Sequence, residues 1–112
     1  MKQKFALPYT NKKLSNHFGH AEYFEIIDTD QKAIISKDQI KAPVHEHGKL
    51  PKWIAELRVT HIIAGGIGHK ASSLFKELNI TIIYGVKAEE SEILVQKYLE
   101  NKLQSVLNLC DH

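Results

Sequence analysis

Two histidine pairs and one glycine-rich turn hold most of the chemistry available to this 112-residue sequence. The first pair lies in Ser15-Asn16-His17-Phe18-Gly19-His20. Two imidazoles three residues apart, beside a glycine, can converge on one ion or cluster if the loop folds back. Imidazole suits iron, zinc, copper and nickel alike, so spacing selects no metal. Exposed loop histidines, or one capping a turn, are the commoner origin of so short a pattern. The second pair lies in Pro43-Val44-His45-Glu46-His47-Gly48. In an extended stretch, side chains two apart point the same way, which lets His45 and His47 chelate together. Glu46 then faces away or orients a ring from outside. A helical His-Glu-x-x-His zinc site is excluded, because the spacing differs and Gly48 and Pro51 break a helix. A solvated polar loop is the plain alternative.

The glycine-rich turn is Ala64-Gly65-Gly66-Ile67-Gly68-His69-Lys70, between a strand and a helix. Gly65, Gly66 and Gly68 let backbone amides approach a ligand, and the free amides of a helix start favour an anion. His69 and Lys70 bring positive charge to a helix end where it costs about 0.3–1 kcal/mol, a sign that a bound anion reverses. A tight turn with incidental surface charge fits the same residues. Gly66-x-Gly68-x-x-Ala71 also meets the loose dinucleotide fingerprint. That fingerprint expects a ribose-binding acid some 20 residues on, whereas the next strand runs into Tyr84-Gly85-Val86-Lys87 with no acid before Glu89. No Gly-Lys-Ser/Thr is present to make a phosphate loop. The chain closes on Asn108-Leu109-Cys110-Asp111-His112, where Cys110 and His112 are plausible soft ligands. His61, opening a strand, and Trp53, on a helical stripe, read as packing residues.

Composition narrows the classes further. The chain is 43% hydrophobic and 25% charged, which suits one small domain over residues 1–112. A net charge of +2 gives no basis for a nucleic-acid groove or a membrane-binding patch. No apolar run approaches the roughly 20 residues of a membrane helix. Pro8 cuts short the first apolar stretch, so no signal peptide is expected and the location expected is cytoplasmic. One cysteine against seven histidines excludes an intramolecular disulfide and any four-thiolate site within one chain.

These groups need elements to position them. Before Pro43 the pattern predicts strands over Lys4 to Leu7, Glu22 to Asp28 and Ala33 to Ile40. The polar run Asp28 to Lys32 suits a hairpin turn, which makes its two strands antiparallel. After Pro43, Leu50, Trp53, Ile54 and Leu57 form a helical stripe with Pro51 in its first turn. A strand over His61 to Ala64 follows, then a helix over Gly68 to Leu78 with the stripe Ala71, Leu74, Phe75 and Leu78. Ile80 to Tyr84 predicts a strand, and Ala88 to Glu100 a helix with Glu89, Glu90 and Glu92 in its first turns. Asn79 and Asn101 stand where left-handed residues close helices. The order is β-β-β-α-β-α-β-α. It predicts an α/β fold, a mixed five-stranded sheet flanked by helices, with a right-handed parallel crossover in its second half.

Taken together, these motifs resemble the dinitrogenase iron-molybdenum cofactor biosynthesis family, which includes NifX-like proteins and the C-terminal domain of NifB. The resemblance rests on His17 to His20 followed by Tyr23 to Asp28, and on Ile62 to Ala71 with Leu74-Phe75 and Asn79-Ile80. His45 to Gly48 before Leu50 to Trp53, and the Leu109 to His112 ending, match a stand-alone small subgroup. His69 stands where proline is frequent, and Asn79 where glycine is. The resemblance implies a ribonuclease-H-like three-layer fold without chemistry of its own. It also implies a transiently bound metal–sulfur cluster, of iron–molybdenum or iron–sulfur type, and donor and acceptor proteins as partners. On that basis His17, His20, His45 and His47 are expected to face the cluster, with Cys110 and His112 as further candidates. Gly65, Gly66, Gly68 and His69 are expected to form the anion cradle. A mononuclear divalent-metal binding or sensing module is one alternative. A metal-independent adaptor holding an anion or partner carboxylate is the other.

Overall fold

A computed structural model describes residues 2–15, 18, 21–42 and 49–103 of the chain. Its elements in order are β1 (Lys2–Thr10), β2 (Lys13–Leu14), β3 (Tyr23–Asp30), β4 (Ala33–Lys41), α1 (Lys49–Glu56), β5 (His61–Ile63), α2 (His69–Glu77), β6 (Thr81–Ile83) and α3 (Ser91–Leu99). The strands form one six-stranded mixed sheet in the order β4-β3-β1-β5-β6, with β2 paired to β1 off this path. β1 is antiparallel to β3 and parallel to β5. β4 is antiparallel to β3, and β6 is parallel to β5. On the main path β3 alone runs against the others.

Strand alternation divides the interior into two layers. Phe5, Leu7 and Tyr9 of β1 pack with Ile27, Ile63 and the α3 residues Leu94, Val95 and Leu99. Ala6 faces the other way, with Phe24, Ile26, Ile62, Ile54 of α1 and Phe75 of α2. α3 therefore covers one face of the sheet, and α1 and α2 the other. Each fully buried Phe or Ile in these layers contributes about 1.5–3 kcal/mol.

Four expectations need correction. The five-stranded path is present, but β2 adds a sixth strand whose two residues are too short to show any periodicity. β1 continues through Pro8 to Thr10, well past Leu7. The Pro8 carbonyl accepts the Ser15 N–H at 2.8 Å, on the side where β5 has ended after its Ala6–Ile62 pair. The missing proline N–H falls on that side and breaks no ladder bond. α3 starts at Ser91, so Glu89 and Glu90 precede it and only Glu92 lies in its first turn. The α2 stripe is only half inward: Phe75 is fully buried, while Leu74 and Leu78 are 39% and 46% exposed. α2 packs against β6, the edge strand of the sheet.

Candidate functional site

One end of the sheet gathers the turns that matter. β1, β5 and β6 finish there, and the register pairs Tyr9 with Tyr23 and Tyr23 with Lys41, so β3 begins and β4 ends there too. The connections after β2, β4, β5 and β6 thus all leave the sheet at this end. In open α/β sheets such an end, beyond the carboxyl ends of parallel strands, is where ligands bind.

The glycine turn is fastened there by its backbone. Gly65 donates to the Ser15 carbonyl at 3.3 Å, and its own carbonyl accepts the Gly85 N–H at 3.1 Å. The Gly66 carbonyl accepts the Phe18 N–H at 3.1 Å. Ala64 donates to Ile83 at 2.9 Å and accepts from Val86 at 3.4 Å. Carbonyls thus face the neighbouring turns, and among the described residues the N–H groups of Gly66, Ile67 and Gly68 meet no backbone acceptor. Next come the first-turn amides of α2, which no helix satisfies internally. Gly68 caps α2 with no side-chain hydrogen bond, and His69 and Lys70 stand exposed beside it. A Cβ on Gly68 would meet nothing within 4 Å, and its φ is −75°. Its value is an uncovered approach to the amides. The described glycine whose backbone requires the residue type is Gly85, at φ 75°.

Of the histidines expected to face a cluster, His17, His20, His45 and His47 lie outside the described residues, as do Cys110 and His112. Phe18, inside the first histidine motif, is described. Besides its bond to Gly66, its buried ring meets Phe24 and Phe75 edge-on, at 5.2 and 5.3 Å between centroids. The chain is thereby anchored against the glycine turn one residue after His17 and two before His20. Among the described residues no group of three or more His, Cys, Asp or Glu side chains is placed to hold a metal ion. His69 belongs to no such group.

The two residues read as packing groups pack. His61 is buried, stacked on Phe5 at 4.8 Å and edge-on to Tyr98 at 5.3 Å. Its Nδ1 lies 2.7 Å from the Thr60 hydroxyl, and burial holds its pKa below the usual histidine value. Trp53 is half-buried and meets Phe24 edge-on at 5.5 Å.

A second polar cluster, on the α3 face of the same end, went unread in the sequence. Glu25 is buried on β3. It accepts the Ser91 hydroxyl from the start of α3 and the Gln39 amide of β4 at 3.2 Å. Lys37 lies 3.5 Å from it and donates to Glu92 at 3.0 Å. The Glu92 hydrogen bond, helped by the Glu25 charge, holds the Lys37 pKa above its usual value against the effect of burial. The Tyr9 hydroxyl donates to the Glu89 carbonyl at 2.8 Å, and burial plus the Glu25 charge push its pKa well above the phenol range. The one sequence signal was Glu25 itself, a charge between Tyr23 and Ile27 on an inward strand face.

Comparison with known proteins agrees with this architecture. The family model described as dinitrogenase iron-molybdenum cofactor matches residues 1–101. An uncharacterised protein of Methanocaldococcus jannaschii, MJ0580, is 35% identical over 106 residues, covering 90% of this chain and 89% of its own length. Among solved structures, PH0822 superposes with a TM-score of 0.86 at 24% identity, over 98% of this chain and 100% of that one. The apo form of the orange protein from Desulfovibrio gigas gives 0.76 at 16% identity, over 93% and 92%. At these identities the two structures speak for the fold alone. No helix among the described residues is long and apolar enough to cross a membrane. With the family model matching residues 1–101, and a relative at 35% identity over 90% of this chain and 89% of its own length, the chain belongs to the dinitrogenase iron-molybdenum cofactor family.

Proposed function

We propose that this protein binds a preassembled metal–sulfur cluster and carries or delivers it during metallocluster biosynthesis, with no catalysis of its own. The cluster is cargo, of iron–molybdenum precursor or iron–sulfur type. One observation carries the reading: the bond from Phe18 to Gly66 at 3.1 Å ties the first histidine motif to a turn that presents amides and an uncapped helix start. A metal–sulfur core is anionic and brings its own sulfides, so amides and imidazoles can hold it without four thiolates. Lys70 adds positive charge beside those amides, and His69 a ring that can donate or ligate. His17, His20, His45 and His47 supply ligation, and Cys110 and His112 are further candidates. Few and weak ligands suit a carrier that must release what it holds. The cluster comes from a donor protein and passes to an acceptor. The ribonuclease-H-like label for the fold finds support in a five-strand path with only its second strand reversed.

Anaerobic reconstitution with iron, molybdate and sulfide tests this, followed by visible spectroscopy and analysis of metal and sulfide. A stoichiometric chromophore containing sulfide is expected. Substituting all four loop histidines by alanine should abolish it. His69→Ala with Lys70→Ala should weaken loading while leaving the fold intact, since both side chains are exposed. Zinc or nickel uptake without sulfide would instead make the protein a divalent-metal module. Unchanged loading in the fourfold variant would overturn the ligand assignment.

A further inference from the structure

We propose that Phe18 is a positioning residue for cargo binding: seated by its buried ring, its backbone N–H sets the peptide plane that leaves the Ile67 N–H free for the cluster. The role rests on the cluster reading above and adds to it a residue that is only 3% exposed, out of the cargo's reach. Covalent geometry supplies the link. The Gly66 carbonyl and the Ile67 N–H belong to one planar trans peptide, so they point opposite ways. The Gly66 carbonyl accepts the Phe18 N–H at 3.1 Å. Whatever fixes Phe18 therefore aims the Ile67 N–H away from it, and that N–H meets no backbone acceptor among the described residues.

The seat of Phe18 is well determined. Its ring meets Phe24 of β3 at an interplanar angle of 63° and Phe75 of α2 at 77°. Edge-on pairs prefer an orientation as well as a distance, so the seat has a direction. Phe75 belongs to the helix that follows the glycine turn, and the ring thus holds helix and turn together. Ser15 gives a second fixing. It is buried, its N–H donates to the Pro8 carbonyl at 2.8 Å, and its hydroxyl lies 2.6 Å from that of Thr10. Its carbonyl takes the Gly65 N–H at 3.3 Å. Residues 15 and 18 therefore hold Gly65 and Gly66 in turn. Among the described residues no other backbone donor reaches the Gly66 carbonyl, so nothing replaces Phe18 when its seat is lost. Phe24 supplies the contrast. It is fully buried in the same ring cluster, against Phe18 and Trp53, but its backbone lies in the β3 ladder and makes no bond to the turn.

The test compares Phe18→Ala and Phe18→Leu with Phe24→Leu, each in the full chain. Before loading, amide NMR should show a displaced Ile67 resonance and faster hydrogen exchange at residue 18 in both Phe18 variants, and neither change in Phe24→Leu. After reconstitution with iron, molybdate and sulfide, release of iron to a ferrous chelator is timed and the visible circular dichroism recorded. Release should be roughly tenfold faster in Phe18→Ala, the scale of one hydrogen bond. Phe18→Leu should restore part of the retention, and Phe24→Leu should release at the wild-type rate with an unchanged spectrum. Fluorescence of Trp53, the single tryptophan, reports that each variant is folded. If Phe18→Ala does not fold, Phe18→Leu carries the test. Equal release from Phe18→Leu and Phe24→Leu would make Phe18 a packing residue only and overturn the proposal. An Ile67 amide unmoved in the Phe18 variants does the same. A wild-type chain that forms no chromophore fails the cluster reading itself, an outcome seen before any variant is compared.

Discussion

His61 shows how one side chain links packing to pH. Its ring stacks on Phe5 and meets Tyr98 edge-on in a cluster of three rings, and burial favours the neutral form. The folded pKa thus lies below the unfolded one, and above the unfolded value of about 6.5 neither state holds a proton. As pH falls below that value the unfolded chain takes up a proton that the folded one refuses, and stability is lost toward the folded pKa. Urea unfolding at about pH 8 and about pH 5.5 should show this loss, with a smaller fall in His61→Phe. The substitution keeps a ring in place. The Thr60 hydroxyl it releases still bonds the Lys4 backbone, at 2.9 and 3.1 Å. An identical acid-side fall in both proteins would place the titration elsewhere. The structural role of His61 was readable from its place at the head of an apolar strand. That of Glu25 was not, because Ser91 lies 66 residues away and only folding brings them together.

At the level of elements, local chemistry was legible wherever a rule acts within a few residues. Asn79 and Asn101 close α2 and α3 at φ 61°, the left-handed position that the sequence marks for them. The strand expected over Ala33 to Ile40 is present as Ala33–Lys41, but its irregularity does not show in the sequence. The register shifts between Asp28 and Thr29, whose partners are Ser36 and Ile34, so Ile35 has no opposite number and is 59% exposed. A bulge is a property of the pair of strands, invisible in either alone. The two hairpin turns carry a testable cost. Asn11-Lys12 and Gln31-Lys32 each place two residues at positive φ, the type I′ geometry that glycine suits best at its second position. A side chain there costs about 1–2 kcal/mol per residue. Lys32→Gly should therefore stabilise the protein by about 1 kcal/mol, raising the melting temperature by roughly 4 °C. Lys32 lies at the end of the sheet far from the glycine turn. An unchanged or lower melting temperature for Lys32→Gly would mean the turn is not strained as its dihedrals indicate.

The whole molecule is polar in its use of space. The turns after β1, β5 and β6 lie at one end of the sheet, while Gln31 and Lys32 cap the other, where Lys2 pairs with Asp30. Element order alone made that end legible, since parallel strands joined by helices must send their carboxyl ends the same way. Which backbone groups are free there was not legible. It depends on bonds to the turn from elsewhere in the chain: Phe18 and Gly85 donate to its carbonyls, and the Ser15 carbonyl takes the Gly65 N–H. This polarity gives cargo binding a spatial signature. If the glycine turn cradles the cluster, loading should slow hydrogen exchange at the amides of Gly66 to Lys70 by roughly tenfold or more. Exchange at Gln31 to Ser36 should stay as it was. Protection that rises evenly over both ends would mean loading merely stabilises the fold as a whole. Protection absent from Gly66 to Lys70, in a protein that still binds the cluster, would move the cradle elsewhere. Zinc alone, added under the same conditions, separates a response to the anionic core from a response to any metal: only the former should reach the α2 amides, because a bare cation gains nothing from N–H groups that point toward it.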